Sequence, residues 1–396
     1  MSVIFRSMIR RLIKPLKSNS FFLFGARGTG KSTWVEQQFL GSSECLRIDL
    51  LNADEEERFT RNPSLLEAIL NESHSKPEWV FIDEVQKAPK LLDQVHRLIE
   101  RKKQKFILTG SSARKLKRDG ANLLAGRAYV NHLHPLTALE LQEDWDLNRA
   151  LNWGTLPQAW NITDAVERRA FLKSYVLTYL REEVMIEQLV RKLDPFRNFL
   201  EVSAQMNGKV LNYSKIAREV GVSDKTILGY YQVLEDTLLG FSLPAFHRSV
   251  RKSQAEHPKF YWFDSGVKRQ LERSIESPLV PSTSAYGEAF EHFVILEITR
   301  RADYLGKDWK LSFFRTKEGN EIDLIISPNR KQEILVEIKS TTQVDPLEVK
   351  ALERMSADFN SIGIYYLSLD PKPQRIGKVR CLPWLEGVRE ILNISI

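Results

Sequence analysis

Phe21-Phe22-Leu23-Phe24-Gly25-Ala26-Arg27-Gly28-Thr29-Gly30-Lys31-Ser32-Thr33 is the stretch whose reading decides the fold. Four apolar residues read as a buried strand, a glycine-rich turn follows, and a helix opens at Lys31. Strand, turn and helix in that order are the context that the spacing G-x-x-x-x-G-K-[ST] requires of a phosphate-binding loop. Gly25, Gly28 and Gly30 allow the backbone to turn its N–H groups inward and approach an anion closely. The helix N-terminus adds its own N–H groups and partial positive charge, and Ala26, Arg27, Thr29 and Thr33 complete the loop. Lys31 is expected to reach the β- and γ-phosphates, and the Ser32 hydroxyl to hold Mg²⁺. The stretch therefore predicts a bound nucleoside triphosphate, ATP, with its magnesium ion.

The chain around this motif is 396 residues long, enough for about two or three domains. At 42% hydrophobic and 28% charged it has the balance of a soluble globular chain. No run approaches the ~18 apolar residues that span a bilayer, so no membrane partner is expected. The two cysteines, Cys45 and Cys381, are far apart in sequence and suggest neither a disulfide framework nor a metal spacing, so a reducing, cytoplasmic location is expected. A net charge of +7 favours an anionic partner such as nucleic acid. Near the N-terminus Phe5, Met8, Ile9, Leu12, Ile13 and Leu16 recur at helical spacing. They predict a first helix of the nucleotide-binding domain rather than a targeting segment, because the strand at Phe21 leaves no room for cleavage.

Trp79-Val80-Phe81-Ile82-Asp83-Glu84 follows the helix-breaking Lys76-Pro77 and reads as an apolar strand ending in two acids. Asp83, at the strand's carboxyl end, is expected to reach Mg²⁺ through its water shell, and Glu84 to polarise the attacking water as general base. A third apolar strand from Lys105 ends in small hydroxyl residues and should lie between the other two. Thr109 and Ser111 are candidates for sensing the γ-phosphate, with a plain Thr-Gly-Ser-Ser turn as the competing reading. Arg127, after Gly126, is a candidate arginine finger, acting in its own subunit or on a neighbour in a homo-oligomer; an ordinary surface arginine is the alternative.

The order FGARGTGKST, FIDEVQKAP, ILTGSS and LLAGRA, closing with His134-Pro135-Leu136, resembles a large family of bacterial and archaeal AAA-type ATPases whose C-terminal half is of uncharacterised function. The resemblance covers nearly the whole chain. It implies a RecA/AAA-like three-layer α/β/α core over residues 1–150.

Residues 151–282 read as a helical, winged helix-turn-helix domain. Phe171, Tyr175, Val176, Tyr179 and Leu180 predict one buried helical face, ending at Arg181-Glu182-Glu183. Lys215 to Val220, a turn at Gly221 and a second helix capped by Ser223 make a helix-turn-helix pattern, packed through Ile216/Val220 and Ile227/Tyr231. On DNA, Ser223, Lys225 and Thr226 would face the major groove; a lid or a protein contact is the other use of such a domain. Phe241–Phe246 and Lys259–Phe263 suit a wing hairpin, and the intervening His247-Arg248-Ser249-Val250-Arg251-Lys252 could track phosphates.

A linker at Pro278, Pro281 and Ser282-Thr283-Ser284 precedes residues 283–396, whose α-β-β-β-α-β order resembles the α+β core of restriction-endonuclease-like, PD-(D/E)XK nucleases. Alternation sets Ile322, Leu324 and Ile326 toward a core and Asp323 the other way, while Leu335, Glu337 and Lys339 share a face. Asp323 and Glu337, on adjacent strands, suit Mg²⁺ binding for phosphodiester hydrolysis, and Lys339 would orient or deprotonate the water. The resemblance adds Glu291 as the acid of the first helix, with Glu288 as the fallback. The competing reading is a half-buried sheet with a charged outer face, where Asp323 and Lys339 form a cross-strand pair.

These readings give an α/β chain in which ATP hydrolysis is coupled to nucleic acid, DNA ahead of RNA, with phosphodiester cleavage at the C-terminal site. Two alternatives stay open: a nucleotide-dependent switch with an inactive nuclease-like domain, and a regulator acting through its helix-turn-helix.

Overall fold

The computed structural model describes residues 9–40, 45–72, 76–112, 126–179, 193–247, 256–316 and 318–394. The apolar run becomes strand β1 (Ser20–Phe24), buried along its whole length. It joins β2 (Cys45–Asp49), β3 (Trp79–Asp83), β4 (Lys105–Gly110) and β5 (Ala128–His132) in a parallel sheet of order β2-β3-β4-β1-β5. Continuous apolar strands suit a sheet covered on both faces. On one face Phe22, Phe24, Val80, Ile82 and Leu108 pack against α2 (Ala53–Arg61), α3 (Leu65–Glu72) and α4 (Leu91–Lys102). On the other, Phe21, Leu23, Phe81 and Ile107 pack against Trp34, Val35 and Phe39 of α1 (Lys31–Phe39).

Residues 9–16 are not helical, contrary to their apolar spacing; Phe5 and Met8 lie outside the described residues. The backbone and side chains of this segment find tertiary partners instead of a helical ladder. Leu12 N–H donates to Glu140 Oε1 (2.8 Å), and Arg11 Nη1 donates to the Thr29 carbonyl (2.8 Å). Pro15 also removes one donor from any such helix.

The middle of the chain contains α5 (Leu147–Trp153), α6 (Ala165–Ser174), α7 (Leu193–Gln205), α8 (Tyr213–Val220) and α9 (Asp224–Asp236). An antiparallel ribbon of β6 (Gly240–Leu243) and β7 (Lys259–Trp262) and the helix α10 (Ser265–Leu271) follow. After α6 the backbone continues as a π-helical turn over Tyr175–Tyr179. Gly221 ends α8 at φ 76°, and the Ser223 hydroxyl caps α9 by accepting from Thr226 N–H (3.2 Å). Ile216, Val220, Ile227 and Tyr231 share one core with Phe199 and Trp262. Arg181-Glu182-Glu183 and the basic run after His247 lie outside the described residues.

The C-terminal unit opens with the long helix α11 (Ser284–Tyr304). Strands β8 (Lys310–Arg315), β9 (Glu321–Ser327), β10 (Glu333–Lys339), β11 (Ser361–Ser368), β12 (Gln374–Ile376) and β13 (Val379–Pro383) form a sheet of order β12-β13-β11-β10-β9-β8. Residues of α11 and α13 (Trp384–Leu392) pack on one face and those of α12 (Pro346–Met355) on the other. Both faces of the sheet's described core are thus covered, unlike the half-buried sheet of the competing reading, although the Asp323–Lys339 pair of that reading is present (3.6 Å). Ile322 packs with Ile325 on the α12 side, not with Leu324 and Ile326. The β8–β9 pairing slips between Ser312 and Phe314, and a slip of one residue turns a side chain to the other face.

Helix α11 buries two titratable groups with opposite consequences. Burial pushes the Glu297 carboxyl up from 4.5 to about 7 and the His292 imidazole down from 6.5 to about 3. The His292 ring is also tied to the Trp262 carbonyl (2.6 Å). A raised carboxyl favours folding fully below pH 4.5, and that contribution is lost as pH rises through about 7. A depressed histidine contributes above pH 6.5 and loses its contribution as pH falls toward 3. Glu297→Gln is therefore expected to stabilise the chain at pH 8, by on the order of 3 kcal/mol, and to leave it unchanged at pH 4. Unfolding midpoints of both proteins across pH 4 to 8 check this; an equal gain at both ends would exclude the ionisation of Glu297 as its cause.

Candidate functional site

The turn after β1 lies at the carboxyl edge of the parallel sheet, where ligands of open α/β sheets bind. Gly25 is required by close approach, since an added Cβ would stand 2.3 Å from the Leu133 carbonyl oxygen; Gly30 is required by its φ of 92°. Lys31, 5% exposed, folds its Nζ back to donate to the Gly25 carbonyl (2.7 Å). Thr29 Oγ1 donates to the Ala26 carbonyl (2.9 Å), Arg27 offers its carbonyl to Tyr175 OH (2.7 Å), and Thr33 is exposed on α1.

Because β4 lies between β1 and β3, Thr109 neighbours Asp83. The Asp83 carboxylate, 1% exposed, accepts from the hydroxyls of Thr109 and Ser32. Burial raises its pKa and these hydroxyl bonds oppose the rise. Ser32, Asp83 and Thr109 thus converge as oxygen donors of the kind a hard divalent cation takes.

Glu84 follows at φ 56°, an uncommon conformation for a residue with a side chain, costing on the order of 1 kcal/mol. Its N–H donates to Thr109 Oγ1 (3.1 Å), which holds that conformation. Gln86 Nε2 donates to the Glu84 carboxylate and to Ser111 Oγ (3.1 Å), so Ser111 meets Glu84 through Gln86. The Gln86 Oε1 atom is buried and, among the described residues, has no partner.

Sequence reasoning missed three residues here. Arg11 donates to the Thr29 carbonyl, to Glu140 (2.9 Å) and to Tyr304 OH (3.1 Å), clamping the loop against α11. Tyr175 braces the loop from the other side, and only its hydroxyl within an apolar pattern was a signal. Gln86 lay within the FIDEVQKAP block that carries the resemblance, but no role was read for it.

Arg127 is placed differently from expectation. It immediately precedes β5, and Ala128 pairs with Ser20 while His132 pairs with Phe24. Arg127 therefore lies at the opposite end of the sheet from the loop, about five residues or roughly 16 Å away. Its side chain pairs with Glu100. A finger acting in its own subunit is excluded by that separation.

The C-terminal acids gather where two strands part. The β9–β10 ladder runs from Ile326/Ile334 to Leu324/Val336 and stops. In the opening, the Asp323 carboxylate accepts from Ile338 N–H (2.8 Å). Lys339 Nζ bridges Glu337 (2.5 Å) and Asp323 (3.6 Å). Glu291, from α11, accepts from Tyr261 OH (2.7 Å) and lies 3.4 Å from Lys259 Nζ, which also pairs with Glu321. Glu288 is exposed beside Lys209 (3.9 Å). Burial first, and the Asp323 charge second, raise the pKa of both Glu291 and Glu337. Glu337 Oε2 is buried and has no hydrogen-bond partner among the described residues.

The structure thus brings together Glu291, Asp323, Glu337 and Lys339, and adds Lys259, Tyr261 and Glu321. Among the described residues no three His, Cys, Asp or Glu are grouped to hold a metal ion. Carboxylate oxygens suit Mg²⁺ by chemistry, but lysine ammonium groups bridge these carboxylates. In the middle domain Ser223 and Lys225 are exposed at the start of α9, and Thr226 partly so.

Residues 17–142 match the sequence profile of an AAA domain. The chain therefore carries an AAA-type P-loop, nucleotide-binding ATPase domain. Residues 144–277 and 286–385 match two domains of unknown function, DUF8612 and DUF4143. Uncharacterized proteins of Mycobacterium bovis and Mycobacterium tuberculosis are each 24% identical over 249 residues, 62% of this chain and 55% of theirs. The chain thus spans about half the length of these relatives. Domain III of the Thermotoga maritima replication initiation protein DnaA aligns with 56% of this chain and 85% of that one, at 16% identity and a TM-score of 0.20. Among the described residues no helix is long and apolar enough to cross a membrane.

Proposed function

We propose that this protein hydrolyses ATP with Mg²⁺ and couples the reaction to a nucleic-acid partner, DNA ahead of RNA. The convergence of Ser32, Asp83 and Thr109 beside Lys31, in an AAA-type domain, carries the reading. The N–H groups of the loop would cradle the phosphates, and Lys31 would leave the Gly25 carbonyl for the β- and γ-phosphate oxygens. Ser32 and Asp83 would hold Mg²⁺, which when bound neutralises charge on the transferring phosphoryl group. Glu84 would orient and deprotonate the attacking water, with Gln86 fixing its carboxylate and Thr109 and Ser111 reporting the γ-phosphate.

The paired helices α8 and α9 with the β6–β7 ribbon support a winged helix, and exposed Ser223 and Lys225 support its use on DNA. ATP turnover is expected to rise at least about threefold with duplex DNA, the gain fading with salt and in Lys225→Ala as phosphate contacts are lost. Turnover indifferent to DNA at low salt, together with no DNA binding, would overturn the nucleic-acid half of this reading.

The α-β-β-β-α-β order and the acids at the parted strands support a nuclease-like C-terminal domain. A second reading, a switch that does not cut, is favoured by the lysine-bridged carboxylates. Mg²⁺-dependent nicking that disappears in Glu337→Ala would decide for cleavage. No nicking under any nucleotide condition would decide for the switch.

A further inference from the structure

The C-terminal acidic site is not built by its own domain alone. Lys259 and Tyr261 come from β7, in the ribbon of the middle domain, and enter the site beside α11 and β9. Lys259 is 3% exposed, an unusual fate for a lysine, which burial penalises unless its charge is paired. Its ammonium pairs with both Glu291 and Glu321 and stands 5.3 Å from the Phe313 ring centroid. On β10, Lys339 plays the same part between Glu337 and Asp323. The two lysines differ in origin: Lys339 belongs to the sheet that carries the acids, whereas Lys259 is delivered from another domain. A cavity of about 250 Å³, with Lys259, Glu291, Glu321, Lys209 and Arg315 among its lining residues, opens at this seam.

We infer that Lys259 is an internal counter-ion that competes with a divalent cation for Glu291 and holds the acidic site in its metal-free form until the ammonium is displaced. The inference rests on reading Glu291, Asp323 and Glu337 as cation ligands. A single ammonium is shared by Glu291 and Glu321, so a divalent cation binding Glu291 must displace it from that carboxylate or stand beside its positive charge. The middle domain thereby governs whether the site can be loaded, independently of any chemistry that follows.

The test is Mn²⁺ binding by the full chain without nucleotide, followed by calorimetry. Lys259→Gln is expected to bind Mn²⁺ at least tenfold more tightly than wild type, Lys259→Arg to match wild type, and Asp323→Asn to abolish the gain in Lys259→Gln. A second measurement uses the unaltered chain, so that it does not depend on the variant folding. Amine labelling read by mass spectrometry should find Lys259 protected alone and at least fivefold more reactive with Mn²⁺.

Asp323-dependent Mn²⁺ binding that is unchanged in Lys259→Gln, or that leaves Lys259 protected in wild type, overturns the counter-ion role and spares the ligand reading. Absence of Asp323-dependent binding in both proteins overturns the two together.

Discussion

Glu84→Gln is expected to lower ATP turnover by about 10²- to 10⁴-fold, the usual contribution of a positioned general base, while ATP affinity stays within about threefold of wild type. The separation follows from where Glu84 sits. Its N–H bonds Thr109 and its carboxylate bonds Gln86; the hydrogen bonds that shape the loop instead join Thr29 to Ala26, Tyr175 to Arg27, and Arg11 to Thr29. Glutamine keeps the size of the side chain and a carbonyl that Gln86 can still bond, so the strained φ of 56° is held by the same neighbours. What disappears is the basicity that the proposed role assigns to Glu84, taking a proton from water. Lys31→Ala should behave differently, losing affinity and turnover together, because the cation proposed to answer the phosphates is gone. Phosphate release and fluorescent-nucleotide titration on both variants check the pair. Turnover within tenfold of wild type in Glu84→Gln would mean that water is activated elsewhere.

The glycine loop after β1 and the acidic end of β3 were legible because their signals are local. An apolar run, a glycine turn and a helix start are contiguous, and Asp83-Glu84 ends a strand whose place in a parallel sheet follows from its apolar composition. What the sequence hid are relations between distant segments. The spacing of Ile9, Leu12 and Ile13 fits a helix, yet Glu140, 128 residues beyond Leu12, claims its backbone N–H. Arg127 stands close to the nucleotide motifs in the chain, but a residue that precedes a parallel strand lies at the end remote from residues that follow one. At the C-terminal site Asp323, Glu337 and Lys339 were readable from alternation, and the slip that turned Ile322 over was not. Lys259, in an apolar strand that resembled a wing, gave no sign that its partner would be an acid 32 residues away.

Arg300→Met is expected to destabilise the protein by about 3–5 kcal/mol, the range for removing one partner from a buried charge. Arg300 is 2% exposed on α11. It donates to the carbonyls of Leu136 (3.1 Å) and Phe263 (2.6 Å) and to Thr155 Oγ1 (3.0 Å). Those acceptors follow β5, α5 and β7, so one guanidinium ties the nucleotide-binding domain, the middle domain and the C-terminal unit. Its charge also faces Asp264, fully buried, which accepts from Thr155 N–H (2.7 Å) and Val267 N–H (3.0 Å). Burial raises the Asp264 carboxyl, and Arg300 is among the groups that oppose the rise. Methionine fills much of the volume but leaves three acceptors without a donor and Asp264 without its cation. Adding Asp264→Asn should therefore recover part of the loss, since the uncompensated charge is then gone; the recovery is partial because one amide oxygen can serve only one of the two N–H donors, Thr155 or Val267. Unfolding midpoints of the two single variants and the double variant measure the coupling. Strict additivity would show that Arg300 acts through its carbonyl bonds alone and not as a counter-charge.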